Sequence, residues 1–193
     1  MVKIVTDSCS DITPELAQQF GIVVVPLYIQ FGKELYRDNV DISTREFYQK
    51  LTKSKTIPTT STVTPDFFAE LFTELAKETD EILTITLSEM YSGTYGSALQ
   101  GKAMVKEKCH IEVIDCQLAI GGQLLLAITA AQMAQEGANL DQIARWVKRA
   151  MPGIHVRMSF DTLEYLRRCG RSGKAQAFLG SLLKINPVCS IKD

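Results

Sequence analysis

A chain of 193 residues with a formal net charge of −1, 46% hydrophobic and 22% charged, can bury a globular core, and its charge excludes a large basic field for nucleic acid. Five cysteines (Cys9, Cys109, Cys116, Cys169 and Cys189) are scattered, with no C-x-x-C pair and no Cys/His cluster. That excludes a disulfide framework or zinc site as the organising feature and suits a reducing cytoplasm.

The chain starts without a secretory pattern, because Lys3 and Asp7 interrupt the first apolar run. Residues 2–6 alternate as a strand ending at Asp7. Thr13 then reads as an N-cap, with Pro14 at the first helical position and Glu15 behind it. Leu16 and Phe20 share one face of this helix, and Gly21 ends it. Residues 22–25 are a continuous β-branched run, the pattern of a strand buried on both faces. Residues 28–36 read as a hairpin turning near Gly32 and Lys33. Ser43-Thr44-Arg45-Glu46 is a capping box, so a helix starts there and buries Phe47 and Leu51. Residues 57–64 read as a polar, Thr-rich loop. Thr64-Pro65-Asp66 opens another helix, with Phe67, Phe68, Leu71, Phe72 and Leu75 on one broad face.

A strand over 82–87 empties into a hydroxyl-rich turn, and a helix follows over about 94–106. The next strand is 111–114, ending at Asp115. Residues 116–135 carry no charge and have the length of a membrane span. Gln117, Gln123, Gln132 and Gln135, with much Ala, favour a buried helix instead. Helices are predicted over 122–135 and 140–150, with Gly137 between them. After them come a strand over 154–160, a helix over 163–169, a basic turn over 170–173, a helix over 175–183 and a strand over 185–191. Repeated β-α-β alternation predicts an α/β fold, an open parallel sheet with helices on both faces. Met151-Pro152-Gly153 is the weakest joint, dividing a first domain (1–152) from the start of a second α/β domain (153–193). That second part is too short to close a core, which suggests a truncated chain or a short relative of something longer.

Ligands of parallel α/β sheets sit at the carboxyl ends of the strands. Three polar clusters fall there or in loops within reach: Thr6 to Asp11, Thr59 to Thr62, and Ser88 to Thr94. Turn chemistry and capping are one explanation, and a binding site is the other. Ser92-Gly93-Thr94 at a helix start presents hydroxyls and free N–H groups to an anion. Asp7 and Asp115 either anchor loops through backbone hydrogen bonds or bind a metal. Asp7-Ser8-Cys9 suggests a phosphotransfer aspartate but lacks the second acid two residues on. Gly170 to Lys174 departs from a phosphate loop at Arg168 and Ala175. Arg167, Arg168 and Arg171 form a solvated face or reach an anion. His110 and His155 are isolated, and no nucleophile-base grouping assembles from spacing. No catalytic residue, metal ligand or cofactor is assigned. A neutral, hydroxyl-rich site without a base favours binding a carboxylate, with the Phe-rich helices near for a hydrocarbon tail. A Mg-dependent phosphate-handling enzyme using Asp7 is the alternative.

These residues resemble the DegV family of bacterial fatty-acid-binding proteins. Thr6-Asp7-Ser8-Cys9-Ser10-Asp11 resembles its opening motif, and Thr60-Ser61-Thr62 its T-S-Q, with Thr62 departing. Ser88 to Tyr95 resembles S-S-x-L-S-G-T-Y, with Glu89 and Tyr91 departing. Val113-Ile114-Asp115, Leu163 to Leu166, Gly170-Arg171-Ser172 and Phe178 to Pro187 complete the series. The resemblance implies two α/β domains clamping a long-chain fatty acid such as palmitate. It implies that Thr60 and Ser92 hold the carboxylate, with Ser61, Gly93, Thr94 and Arg171 close by. It also implies a non-enzymatic role as the binding subunit of a fatty acid kinase. That subunit presents the fatty acid to an ATP-using partner, which makes acyl phosphate for phospholipid synthesis. No nucleic-acid partner is expected, and transient contact with a membrane surface is compatible with such cargo. The family extends beyond residue 193 to a Thr/Ser-His segment near the carboxylate.

Overall fold

The structure, a computed structural model, describes residues 1–106, 108–171 and 188–191. Four strands form a parallel sheet: β1 (Lys3–Asp7), β2 (Val23–Val25), β6 (Glu81–Thr86) and β7 (His110–Asp115), in the order β2-β1-β6-β7. Strand alternation sorts the core into two layers. Ile4, Leu83, Ile85 and Ile114 face α5 (Gly121–Gln135) and α6 (Leu140–Ala150), with α1 (Pro14–Phe20) at the margin. Val5, Ile82, Ile111 and Val113 face α3 (Pro65–Leu75) and α4 (Thr94–Met104) through Phe68, Phe72 and Ala98. The α/β arrangement expected from the sequence is therefore the observed one.

Helix starts follow the capping residues. Thr13 accepts the Leu16 N–H and Thr64 the Phe67 N–H, each before a proline. Reciprocal capping boxes, Ser43 with Glu46 and Asn139 with Gln142, open α2 (Thr44–Lys53) and α6. Gly21 ends α1 at φ +64°, a conformation that β-carbon sterics discourage in other residues. Helices α3 and α4 cross closely at Gly101, where an added Cβ would lie 2.5 Å from Phe68 Cβ.

Sequence and structure part at several elements. The expected hairpin exists, as β3 (Tyr28–Phe31) and β4 (Glu34–Arg37) around Gly32. Residues 57–64 are not simply a loop, because Thr59–Ser61 form β5, paired antiparallel with β3. Threonine is a strong strand former, and β3 supplies the hydrogen-bond partners that periodicity did not reveal. Phe47 and Leu51 are half-buried rather than buried, because α2 covers only the small sheet, where Phe47 packs on Phe31. The strand expected over 154–160 contracts to β8 (Arg157–Ser159), antiparallel to β9 (Val188–Ser190). The helix expected over 163–169 is α7 (Glu164–Arg168). Met151–Gly153 make a single 3-10 turn between α6 and β8. The uncharged segment forms the 15-residue α5 inside the core, and no described helix is long and apolar enough to cross a membrane. The helix expected over 175–183, the strand start over 185–187, Ser172 and Gly173 of the basic turn, Lys174 and the motif from Phe178 to Pro187 lie outside the described residues.

Candidate functional site

The turn after β6 is fixed from below by two aspartates. Asp7 accepts the Leu87 N–H on Oδ2 at 2.8 Å and the Cys9 N–H on Oδ1 at 3.1 Å. Asp115 Oδ1 accepts the N–H groups of Glu89 and Gln117 at 3.2 and 3.0 Å. Both strand-end acids thus anchor loops through backbone hydrogen bonds, the first of the two roles open from sequence. Asp7 is only 1% exposed. Burial pushes its pKa up to about 6 against the opposing backbone hydrogen bonds. A carboxylate so enclosed presents almost no surface to a phosphoester or hydrated Mg²⁺, which weighs against the phosphate-handling alternative. Burial, then the Asp7 charge, pushes the Cys9 thiol up to about 12. Cys116 is pushed up by burial as well.

Above this base the chain makes a tight descent into α4. The Ser88 N–H donates to Leu118 O, the Met90 N–H to Ser88 Oγ and the Tyr91 N–H to Ser88 O. Ser92 Oγ and Thr94 Oγ1 share a 2.9 Å hydrogen bond, and Ser92 Oγ accepts the Thr94 N–H at 3.3 Å. Thr94 is buried, Ser92 half-buried and Gly93 exposed. Gly93 occupies the N-cap position of α4 and offers no capping side chain, so of the first-turn amides it leaves uncapped, Ser92 Oγ takes that of Thr94.

Two other segments converge on this turn. From the β5 side, Thr62 Cγ2 lies 3.4 Å from where a Cβ on Gly93 would sit. Exposed Thr60 and Ser61 immediately precede Thr62 on the same segment. From beyond α7, Arg171 Nε donates to Tyr91 O at 3.4 Å, and its Nη1 to Cys169 O at 2.6 Å. Cys169 Sγ also lies 3.9 Å from Pro58 O. Residues 58–62, 91–94 and 169–171 therefore share one neighbourhood, assembled from segments far apart in sequence.

The first polar cluster plays another part. Thr6 Oγ1 donates to Ile85 O, Ser10 Oγ to Asp7 O, and Ser8 Oγ accepts the Leu27 N–H. These hydroxyls knot strand ends together inside the protein. Sequence reasoning used Gln123 only to argue against a membrane span; it is fully buried and donates to Thr6 Oγ1 at 3.0 Å. Its one signal was a polar residue at the core-facing start of an otherwise Ala-rich helix. Thr62 counted as the end of a polar cluster and as a departure from a motif, yet it is its methyl group that meets the Gly93 turn.

Hydroxyls, helix-start amides and a guanidinium thus gather beyond the strand ends of a parallel α/β sheet, the edge at which such sheets generally take ligands. The chain belongs to the DegV family: the profile described as "Uncharacterised protein, DegV family" matches residues 1–193. A DegV domain-containing protein of Caldanaerobacter subterraneus is 41% identical over 192 residues, covering 100% of this chain and 68% of that one. Among solved structures, the chain is similar to a fatty-acid-binding DegV family protein from Thermus thermophilus (TM-score 0.90, 36% identity, 99% of this chain and 68% of that one). It is also similar to Bacillus subtilis DegV, described as a fatty acid binding protein (TM-score 0.91, 31% identity, 100% and 68%). The chain thus spans about two thirds of the length of these relatives.

Proposed function

We propose that this chain binds a long-chain fatty acid, with the carboxylate held by Thr60 and Ser92 and supported by Ser61, Gly93, Thr94 and Arg171. The observation that carries this reading is the convergence of Thr62 and Arg171 on the Tyr91–Thr94 turn. The fatty-acid-binding relatives supply the ligand class. A hydrogen bond to a charged group contributes roughly 1.5–3 kcal/mol, and each buried methylene about 0.8 kcal/mol. A tail of a dozen or more carbons therefore dominates affinity, while the hydroxyls fix which end stays at the turn.

In this reading the chain is not itself a catalyst. It divides near residue 152 into a first domain bearing the turn and a second contributing Arg171. The bound acid is presented to an ATP-dependent fatty acid kinase, which forms the acyl phosphate. Support for that last step is the family resemblance.

Native mass spectrometry of freshly purified protein, followed by palmitate and oleate titration, tests the binding. A bound species of fatty-acid mass, with weaker uptake on titration of Ser92→Ala, is the expected result. A clean apo spectrum with no uptake of either acid overturns it. Acyl phosphate formed only when the chain, kinase and ATP are combined tests the partnership.

A further inference from the structure

Two strand ends meet at one buried carboxylate. Asp7 closes β1, and its two oxygens accept N–H groups from two different loops, Cys9 on its own and Leu87 at the end of β6. Gln123, on the first turn of α5, braces the same place, donating to Thr6 Oγ1 and more distantly, at 3.4 Å, to Ile85 O. Its own Oε1 is buried with no partner among the described residues. From Leu87 the chain reaches Ser92 with little slack, through the bonds made by Ser88, Met90 and Tyr91.

We propose that Asp7 is a positioning residue for the fatty-acid site: its carboxylate clamps Leu87, beside the Thr6–Gln123–Ile85 hydrogen bonds, and so sets the Ser88–Thr94 turn that carries Ser92. This rests on the carboxylate-binding reading above. An amide side chain would fill the same space, but its single oxygen cannot match a carboxylate's two strong acceptors. The ionised form is disfavoured by burial, with the pKa raised to about 6, so the fold retains a charge that costs stability. A group kept at such a cost beside a ligand site is better explained by positioning than by holding the sheet together. The titratable groups around it offer no countercharge. They are Cys9 and Asp11 on its own segment, Asp38 after β4, and Asp115 and Cys116 at the end of β7. Strand β2 brings only valines, and α5 brings neutral Gln123. Among the described residues, no salt bridge reaches Asp7.

Palmitate binding by wild type and Asp7→Asn, measured from pH 5 to 8.5 with melting curves of the apo proteins, is the test. At pH 8 the variant binds about tenfold more weakly, the difference between a charge-assisted and a neutral hydrogen bond, while melting no lower than wild type. At pH 5, where wild-type Asp7 is itself protonated, the two affinities converge. Equal affinity at pH 8, or affinity and melting falling together at every pH, overturns the proposal. Amide exchange in wild type decides the matter if Asp7→Asn does not fold. Corrected for intrinsic rates, protection from Leu87 to Thr94 should drop relative to β7 as pH falls through about 6. Unchanged protection refutes the clamp. Failure of wild type to bind palmitate at all refutes the fatty-acid reading instead, and the exchange experiment still judges Asp7.

Discussion

Two glycines of one helix should respond oppositely to alanine. Both Gly96 and Gly101 lie in α4, where replacing glycine removes a backbone-entropy cost of up to about 1 kcal/mol. At Gly96 nothing lies within 4 Å of the added Cβ, so the propensity gain is realised. At Gly101 the same atom would stand 2.5 Å from Phe68 Cβ, 2.8 Å from Pro65 O and 3.0 Å from Ala69 N. None of these is the mobile end of a side chain, so α3 and α4 must separate. Phe68 and Phe72 lie under that crossing, 1% and 0% exposed, and their packing loosens with it. Overpacking of this kind costs about 1–3 kcal/mol, and contacts this short with backbone belong at the upper end. Net of propensity, Gly101→Ala loses about 1–2 kcal/mol while Gly96→Ala gains up to about 1. For a chain of this size, those changes correspond to melting shifts of a few degrees in opposite directions. Urea titration with the slope compared across variants is the assay, since an unchanged slope assigns the change to stability alone. Gly101→Ala as stable as wild type would show that the close helix crossing is not the constraint described.

Ser92→Ala should weaken palmitate binding by roughly 1.5–3 kcal/mol, ten- to over a hundred-fold, while shifting stability by under about 1 kcal/mol. An unchanged dissociation constant removes Ser92 from the carboxylate site. Asp7 sets a pH dependence with a defined sign. Its folded pKa of about 6 exceeds the ordinary 3.8, so the contribution is fully present below the lower value and is lost as pH rises through the upper. The loss is at most about 3 kcal/mol. The wild-type minus Asp7→Asn difference in unfolding free energy should therefore decline between pH 4 and 6, and a flat difference contradicts the buried, ionisable assignment. Asn139→Ala breaks a complete capping box and should cost about 1 kcal/mol by urea titration, with fatty-acid binding retained.

Much of this architecture was legible because local signals and the tertiary fold agree. Thr13-Pro14, Ser43 with Glu46 and Thr64-Pro65 each start the helix that their chemistry predicts. Residues 22–25 and 82–87 are hydrophobic enough to be strands whatever surrounds them. Strand β5 was not legible, because its exposed Thr-Thr-Ser run has no apolar face and forms only by pairing with β3. The site was half visible. Ser92 and Thr94 announce themselves at a helix start, and Arg171 stood among several arginines. Their meeting with Thr62 depends on long-range contacts that no local pattern encodes. Nor does periodicity announce Ile120, a β-branched residue held at φ 55° where α5 begins, with its N–H on Cys9 O.

Among the described residues, strand β5 lies at the margin of its three-stranded sheet, paired with β3 alone and through residues 59–61. Strand β6, which feeds the Ser92 turn, is paired on both flanks and lies deep in the core. The two walls proposed for the carboxylate therefore differ in how readily they detach. Local opening free energies range from near zero at short, exposed margins to the global value in central strands. Exchange of a cargo whose tail is long and water-averse need not await global unfolding. Under the proposed reading, peeling Thr60 and its neighbours from β3 would open the turn while the sheet beneath stays intact, and the lifetime of that three-residue ladder would bound how quickly cargo is taken up and surrendered.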